Sequence, residues 1–418
     1  MAKDAIIIGG STAGLLNGIM LKHHGYDVTV LEQFSGTRDG YDAGITIGPD
    51  VMSFLAKHDR VQCPFALTCT PPIKFNIHGK PRLEHKQTMV MTCWALLSKI
   101  LRANFDGVTS NAVPVAPESR ATDGTVEYRS GCRVLDVKDM GSRVEVHYED
   151  AGSHVRTAIS AGLVVVADGS NSSIRKLLAP DVERQYAGYI CWRGTVSESS
   201  VENKGFNEKY SGKVAFHFMK GNYIIHYSTP TDDGDLDEEK RLYNWVWYMN
   251  LSDSSSDAEK LFTDVNGKQH QGTLPRGLVR PENWEKQKSL ASSVLPVGLA
   301  EVVSKTTRPF LTKIYDVTSS RILFFDNKLY VVGDAAMSIR PNVGMSTQLA
   351  AYDCNMLERV VEGKITPSQW ERAVLRYRYA QRRFGLTMAA YGLRSKFAAV
   401  WEGLKWLLLL LLQKVGIK

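Results

Sequence analysis

The chain has 418 residues, 44% hydrophobic and 23% charged, which suggests two or more packed units of ordinary globular composition and leaves out low-complexity and repeat architectures. Six scattered cysteines (Cys63, Cys69, Cys93, Cys132, Cys191 and Cys354) form no CxxC pair and have no finger-spaced partners, so they read as reduced thiols, and no metal is expected. The net charge of +7 is concentrated at one end: from Arg372 onward ten Lys/Arg face a single acid, Glu402. Nucleic-acid binding is one reading of that tail. A solvated basic helix is the simpler one, so no nucleic-acid partner is expected. The N-terminal Met-Ala-Lys-Asp enters an apolar run at once, without the parts of a signal peptide, and a cytoplasmic protein is expected.

Residues 5–32 read as strand, turn, helix, strand and acid. Ala5 to Ile8 is an apolar strand and Gly9 to Gly14 a tight turn. Leu15, Leu16, Ile19 and Met20 have helical spacing, and Val28 to Leu31 is a second strand ending at Glu32. Such a turn brings the backbone of Gly9, Ser11, Thr12, Ala13 and Gly14 close to a pyrophosphate, and the helix start adds positive potential. Glu32 is placed for the adenosine ribose hydroxyls and disfavours a 2′-phosphate, so the bound nucleotide is FAD or NAD. Ser11 stands where the second fingerprint glycine is usual; its Cβ would crowd the phosphate and its hydroxyl could bond to it.

Two further strand-to-turn motifs follow. Leu163 to Val166 runs into Ala167-Asp168-Gly169, with Ser173 and Arg175 at fixed offsets. Residues 329–345 run through Gly333-Asp334 and Pro341 to Gly344, ahead of a helix beginning near Ser346. Between them, YAGYICWRGTV, KVAFHFM, NYIIHYSTP and RLYNWVWYMN are alternating, aromatic-rich runs that suggest an antiparallel sheet beside a pocket.

The three motifs, in this order and spacing, resemble the fingerprints of the single-component FAD-dependent aromatic hydroxylases of the para-hydroxybenzoate hydroxylase fold. AGYICWRG, RLYNWVWYMN and Arg340-Pro341 are similar to the 2,6-dihydroxypyridine 3-hydroxylase-like branch. The resemblance implies an α/β fold: an FAD-binding Rossmann-like domain over 1–72, 100–186 and 308–362, an inserted antiparallel-sheet substrate domain over 73–99 and 187–307, and a C-terminal helical region over 363–418. It implies that Asp334 bonds the ribityl chain. The amides of Val343, Gly344 and Met345 would face the isoalloxazine edge, with Asp168 and Arg175 supporting the FAD site and the passage of the nicotinamide. For Arg175 a surface ion pair is an equal reading.

The chain departs from the pattern at Met337-Ser338, where many relatives carry His-Pro, and at Cys93-Trp94, where many carry an Arg; Arg102 stands a turn or two later, and Arg38 could contact the flavin side instead. Tyr189, Arg193, His226 and Trp247 are the candidate pocket residues, each with a plain structural role as its rival. The implied reaction uses NADPH or NADH and O2 to hydroxylate an electron-rich aromatic or heteroaromatic molecule through a flavin C4a-hydroperoxide, without a catalytic side-chain nucleophile. A flavin-dependent epoxidase or Baeyer–Villiger oxygenase would share the motifs, and a non-enzymatic flavin-binding protein is the rival from another class.

The terminal run Trp406 to Leu412 is too short for a bilayer, which needs ~20 apolar residues. It reads as a helix packed on the fold or on a second subunit of a homodimer, or as an interfacial membrane contact with lysines at its rim.

Overall fold

The computed structural model describes residues 3–36, 43–75, 81–84, 88–238, 240–253 and 255–414, with no side-chain detail within 71–87. The nucleotide half is a six-stranded sheet in the order Leu323–Phe324, Leu329–Val331, Leu163–Val166, Asp4–Ile8, Asp27–Glu32 and Val126–Ser130. All but the first pair run parallel. Ile6, Ile7, Ile8, Val164, Val165 and Val166 are buried without alternation, as strands covered on both faces must be. The helix Thr12–His23 covers one face, and Phe105 of the helix Trp94–Asp106 packs against its Gly18. A small antiparallel sheet (Cys132–Asp139, Val144–Asp150 and Arg156–Ala161) lies alongside.

The second half is a ten-stranded sheet. Its centre, Phe310–Asp316, Gln185–Ser197, Leu242–Asn250, Asn222–Thr229 and Lys213–Met219, is antiparallel. Leu67–Phe75 then pairs parallel with Lys213–Met219 and carries Met89–Cys93 and Gly44–Ile47 beyond it. Alternation splits the central strands into two faces. Ile190, Trp192, Ile224, Trp245 and Trp247 pack with Leu299, Val302 and Val303 of the outer helix Val297–Ser304. Tyr189, Cys191, Tyr223, Ile225, Tyr227, Val246 and Tyr248 form the opposite face.

The sheets cross the boundaries expected from sequence. Gly44–Ile47 and Phe310–Asp316, placed in the FAD unit, are hydrogen-bonded into the substrate sheet. The helix Trp94–Asp106 straddles the 99/100 boundary and belongs with the nucleotide half through Leu97, Leu101 and Phe105. Periodicity identifies a strand but not the sheet it joins.

After the helix Ser346–Val361, Thr366 starts the long helix Pro367–Leu393 with a capping box: its hydroxyl accepts from Gln369 N–H, and the Gln369 side chain accepts from Thr366 N–H. A tight break leads to the terminal helix Lys396–Lys414. Among the described residues no helix is long and apolar enough to cross a membrane.

Candidate active site

Gly9 has φ +103°, and a Cβ there would lie 2.5 Å from the Ala167 carbonyl oxygen. A Cβ on Gly14 would lie 1.8 Å from the Gly9 carbonyl oxygen. Both positions therefore need glycine for the turn to close. Ser11 is the N-cap of Thr12–His23, yet its hydroxyl makes no capping bond, and Thr12 and Ala13 follow at the open helix start. Glu32 is buried and accepts from Gly10 N–H at 2.8 Å and Phe34 N–H at 2.9 Å. Those bonds aim its carboxylate at the mouth of the turn. Arg102 lies over the Tyr128 ring at 3.7 Å, and the Tyr128 hydroxyl donates to the Gly10 carbonyl at 3.2 Å, so Arg102 reaches this turn through an aromatic intermediary. Arg38 lies outside the described residues.

The second motif backs the first, since Gly9 packs on the Ala167 and Asp168 backbone. One Asp168 oxygen accepts from Ser173 N–H at 3.0 Å, the other is buried with no hydrogen bond in range among the described residues, and burial raises the carboxyl's pKa, with Ser172 opposing. Arg175 is only 2% exposed. Its guanidinium donates to the Ala335 carbonyl at 2.8 Å and the Ser170 carbonyl at 2.9 Å. The surface ion pair weighed from sequence is thereby corrected: Arg175 is a buried strut under the third motif.

That third motif bends at Gly333, with φ +61°. The Gly333 N–H donates to Asp353 at 2.9 Å. Asp353 is fully buried in an ion pair with Arg378, which also donates to the Met337 carbonyl at 2.9 Å. Asp334 has no hydrogen-bond partner among the described residues; burial pushes its pKa up, with Arg378 opposing and Asp353 adding to the rise. Gly333 lies so close to Ala13 that a Cβ would approach Ala13 Cβ to 2.7 Å, which brings the first and third motifs together. A cradle that a Cβ would fill, a free hydroxyl at a helix start and an unpartnered carboxylate fit an extended dinucleotide such as FAD.

The loop before Ser346 turns at Gly344, with φ +63°, where a Cβ would meet Thr46 Oγ1 at 2.6 Å. Gly344 N–H donates to the Pro341 carbonyl at 3.0 Å. This amide is bonded within the turn, whereas the family resemblance implies that it faces the flavin edge beside those of Val343 and Met345. Buried Asn342 joins the loop to the substrate sheet, accepting from the Tyr189 hydroxyl at 2.5 Å and donating to the Tyr223 oxygen. Arg340 braces the same corner with a salt bridge to Asp316 at 2.6 Å.

Further along the tyrosine face, half-buried Arg193 donates to the Gly44 carbonyl at 3.3 Å, and the Tyr227 hydroxyl donates to the same oxygen at 3.2 Å. Gly44 N–H donates to Asn244 at 2.9 Å. Arg193 has no carboxylate in salt-bridge range among the described residues.

Tyr189 and Arg193 thus face the nucleotide half, while His226 and Trp247 do not. His226 is fully buried among Phe206, Tyr210 and Tyr243, its ring nitrogens have no partner among the described residues, and burial, then His217, lowers its pKa to about 3. Trp247 donates to Asn222 at 2.8 Å from within the outer core. Both expectations are corrected by strand alternation, which turns His226 away from Tyr227 and Trp247 away from Tyr248. Tyr223, Tyr227, Tyr248 and Asn342 were missed; Tyr248 was findable by parity once Arg193 is registered opposite Val246. Elsewhere His24, Glu358 and Glu362 place ligand atoms within 4.8 Å of one another, but Lys57 already contacts Glu358 at 2.6 Å.

The family model described as FAD binding domain-like matches residues 186–316. The 2,6-dihydroxypyridine 3-monooxygenase of Paenarthrobacter nicotinovorans is 24% identical over 359 residues, covering 85% of this chain and 81% of that protein. The 6-hydroxynicotinate 3-monooxygenase of Pseudomonas fluorescens is 27% identical over 203 residues, 47% of this chain and 48% of its own length. Among solved structures, 2,6-dihydroxypyridine-3-hydroxylase from Arthrobacter nicotinovorans matches with a TM-score of 0.80 at 21% identity, covering 95% of this chain and 94% of that one. HpxO of Klebsiella pneumoniae, complexed with FAD and uric acid, matches with a TM-score of 0.68 at 16% identity, covering 97% and 92%.

Proposed function

From a chain with the fold of the single-component FAD-dependent aromatic hydroxylases and sequence kinship to their 2,6-dihydroxypyridine 3-hydroxylase-like branch, we propose an FAD-dependent monooxygenase that uses NADH or NADPH and O2 to hydroxylate an electron-rich aromatic or heteroaromatic small molecule. The observation that carries this reading is the junction at Asn342 and Gly44. At Asn342 a tyrosine-rich sheet face is hydrogen-bonded directly to the loop that follows Gly333-Asp334, and at Gly44 its Arg193 and Tyr227 bind the edge strand of the same sheet.

Bound FAD would supply the electron transfer and oxygen chemistry; the chain's task is binding, orientation and exclusion of water. Gly9, Ser11, Thr12, Ala13 and Gly14 would hold the pyrophosphate and Glu32 the ribose. Asp334 would accept from a ribityl hydroxyl, and the amides of Val343 and Met345 would donate to the ring edge. Asp168 and Arg175 act as positioning residues beneath the site. On the substrate side buried Tyr189 positions the loop through Asn342, and Arg193 supplies a cation without a carboxylate partner among the described residues. Such a cation favours the ionised, more electron-rich form of a phenol or hydroxylated heterocycle.

The test is purification, then NADH and NADPH oxidation with and without hydroxylated pyridines and phenols. The expected protein is yellow, releases FAD on denaturation, and oxidises reduced nicotinamide faster with one substrate class. Heavy oxygen from labelled O2 should appear in the product mass. A protein that binds no FAD, or whose oxidation is stimulated by none of the panel, would overturn the reading.

A further inference from the structure

The terminal helix Lys396–Lys414 is held by one side only. Trp406 packs at a tilt against Phe384 with ring centroids 5.0 Å apart, Glu402 pairs with Arg383 at 3.1 Å, and the Gln413 side chain donates to the Arg376 carbonyl at 3.0 Å. The other side carries Phe397, Val400, Trp401, Leu404, Leu407, Leu408 and Leu411, all exposed, Phe397 by 82% and Leu411 by 63%. At about 100° per residue these seven fall within an arc of about 120°, and they run along about 21 Å of helix. Lys396 and Lys414 lie about 20° beyond one edge of the arc and Lys405 about 40° beyond the other. Scattered exposed apolar residues need no explanation, but a continuous strip does.

We propose that this strip docks flat on an anionic lipid surface, with the apolar arc at the headgroup boundary and the flanking lysines reaching the phosphates. Charge decides between this occupant and a second copy of the chain. Pairing two such helices would bring their lysine rims together. From Arg372 onward the chain offers one acid, Glu402, and it is already bonded to Arg383 and, at 2.9 Å, to Lys405. A self-interface has no counter-charge left, whereas an anionic headgroup layer supplies one along both rims. The long helix Pro367–Leu393 adds Arg372, Arg376 and Arg382 to the same basic hairpin.

The test uses the FAD-loaded full-length protein in flotation with vesicles of phosphatidylcholine, alone and mixed with phosphatidylserine. Binding is expected to the mixed vesicles and to weaken with added salt. Trp401→Glu combined with Leu408→Glu should abolish it, and Lys396→Glu combined with Lys414→Glu should lower partitioning by about tenfold or more, since each basic residue near the surface contributes roughly fivefold. All four side chains are exposed on the terminal helix and none is among the cofactor or pocket residues, so unchanged FAD content, melting temperature and NAD(P)H oxidation without vesicles show that the variants are folded. Absence of vesicle binding by the wild type, or equal binding to neutral and mixed vesicles, overturns the proposal. So does a wild-type dimer in sedimentation velocity that Trp401→Glu/Leu408→Glu converts to monomer, which would give the strip to a second copy.

Discussion

Two aspartates flank the Gly333 turn and do opposite work. Asp353 spends both oxygens on Gly333 N–H and Arg378, while Asp334 keeps its carboxylate unbonded among the described residues. Asp334→Ala is therefore expected to lower FAD affinity by about tenfold to a hundredfold, the equivalent of about 1.5–3 kcal/mol for a charge-assisted bond, with little change in the melting temperature of the FAD-free protein. Titration with FAD measures this, and equal affinity in the variant would show the ribityl chain to lie elsewhere. Asp353→Ala strands a fully buried Arg378 and should cost about 3–5 kcal/mol whether or not FAD is present. Arg175→Ala belongs with it, because the Ala335 and Ser170 carbonyls lose their donor. The Asp334 turn was legible because glycine and a strand-end acid are local. The Asp353–Arg378 pair was not, because nothing local marks two polar residues on different helices as partners.

At the scale of elements, the strand–turn–helix units were readable and the faces of the substrate sheet only partly so. Tyr189, Cys191 and Arg193 follow from alternation within one strand. Which face Asn222–Thr229 and Leu242–Asn250 present depends on register, and a slip of one residue exchanges Tyr227 with His226 and Tyr248 with Trp247. Sheet membership is equally non-local: Gly44–Ile47 and Phe310–Asp316, expected in the FAD unit, pair into the substrate sheet. The observed register has a consequence in kinetics. Trp247→Ala should lower stability by about 3–5 kcal/mol through a core cavity, while surviving folded enzyme keeps its coupling of NAD(P)H oxidation to product. Arg193→Met should keep the melting temperature and lose that coupling. Product formed per nicotinamide oxidised, read beside thermal unfolding, separates them; the reverse pattern would exchange the two faces.

For the whole molecule, buried and half-buried histidines contribute to the response to acid. His23 and His226 are lowered to about 3 and His217 to about 4 from 6.5, each chiefly by burial. The folded state stays neutral at these sites where the unfolded chain protonates, so their contribution is complete above 6.5 and is lost as pH falls from 6.5 toward about 3. The melting temperature should fall across that window, and His226→Phe, which removes one of the three protons, should make the fall shallower. An unchanged slope would mean that other groups dominate acid unfolding.

The sheet order also bears on how the protein is made. Leu163–Val166 has Asp4–Ile8 on one side, but its other neighbour, Leu329–Val331, emerges from the ribosome about 160 residues later. Until then Val164, Val165 and Val166 form an open, wholly apolar edge, able to template wrong pairings while the substrate sheet is still being translated. The nucleotide half is thus completed last, although its fingerprint is synthesised first. A chain stopped just before Leu329 should be insoluble and colourless even with FAD supplied during expression, despite holding residues 5–32 intact. Growth at low temperature or with more holdase chaperone should raise the yield of the complete chain by protecting that edge during the wait.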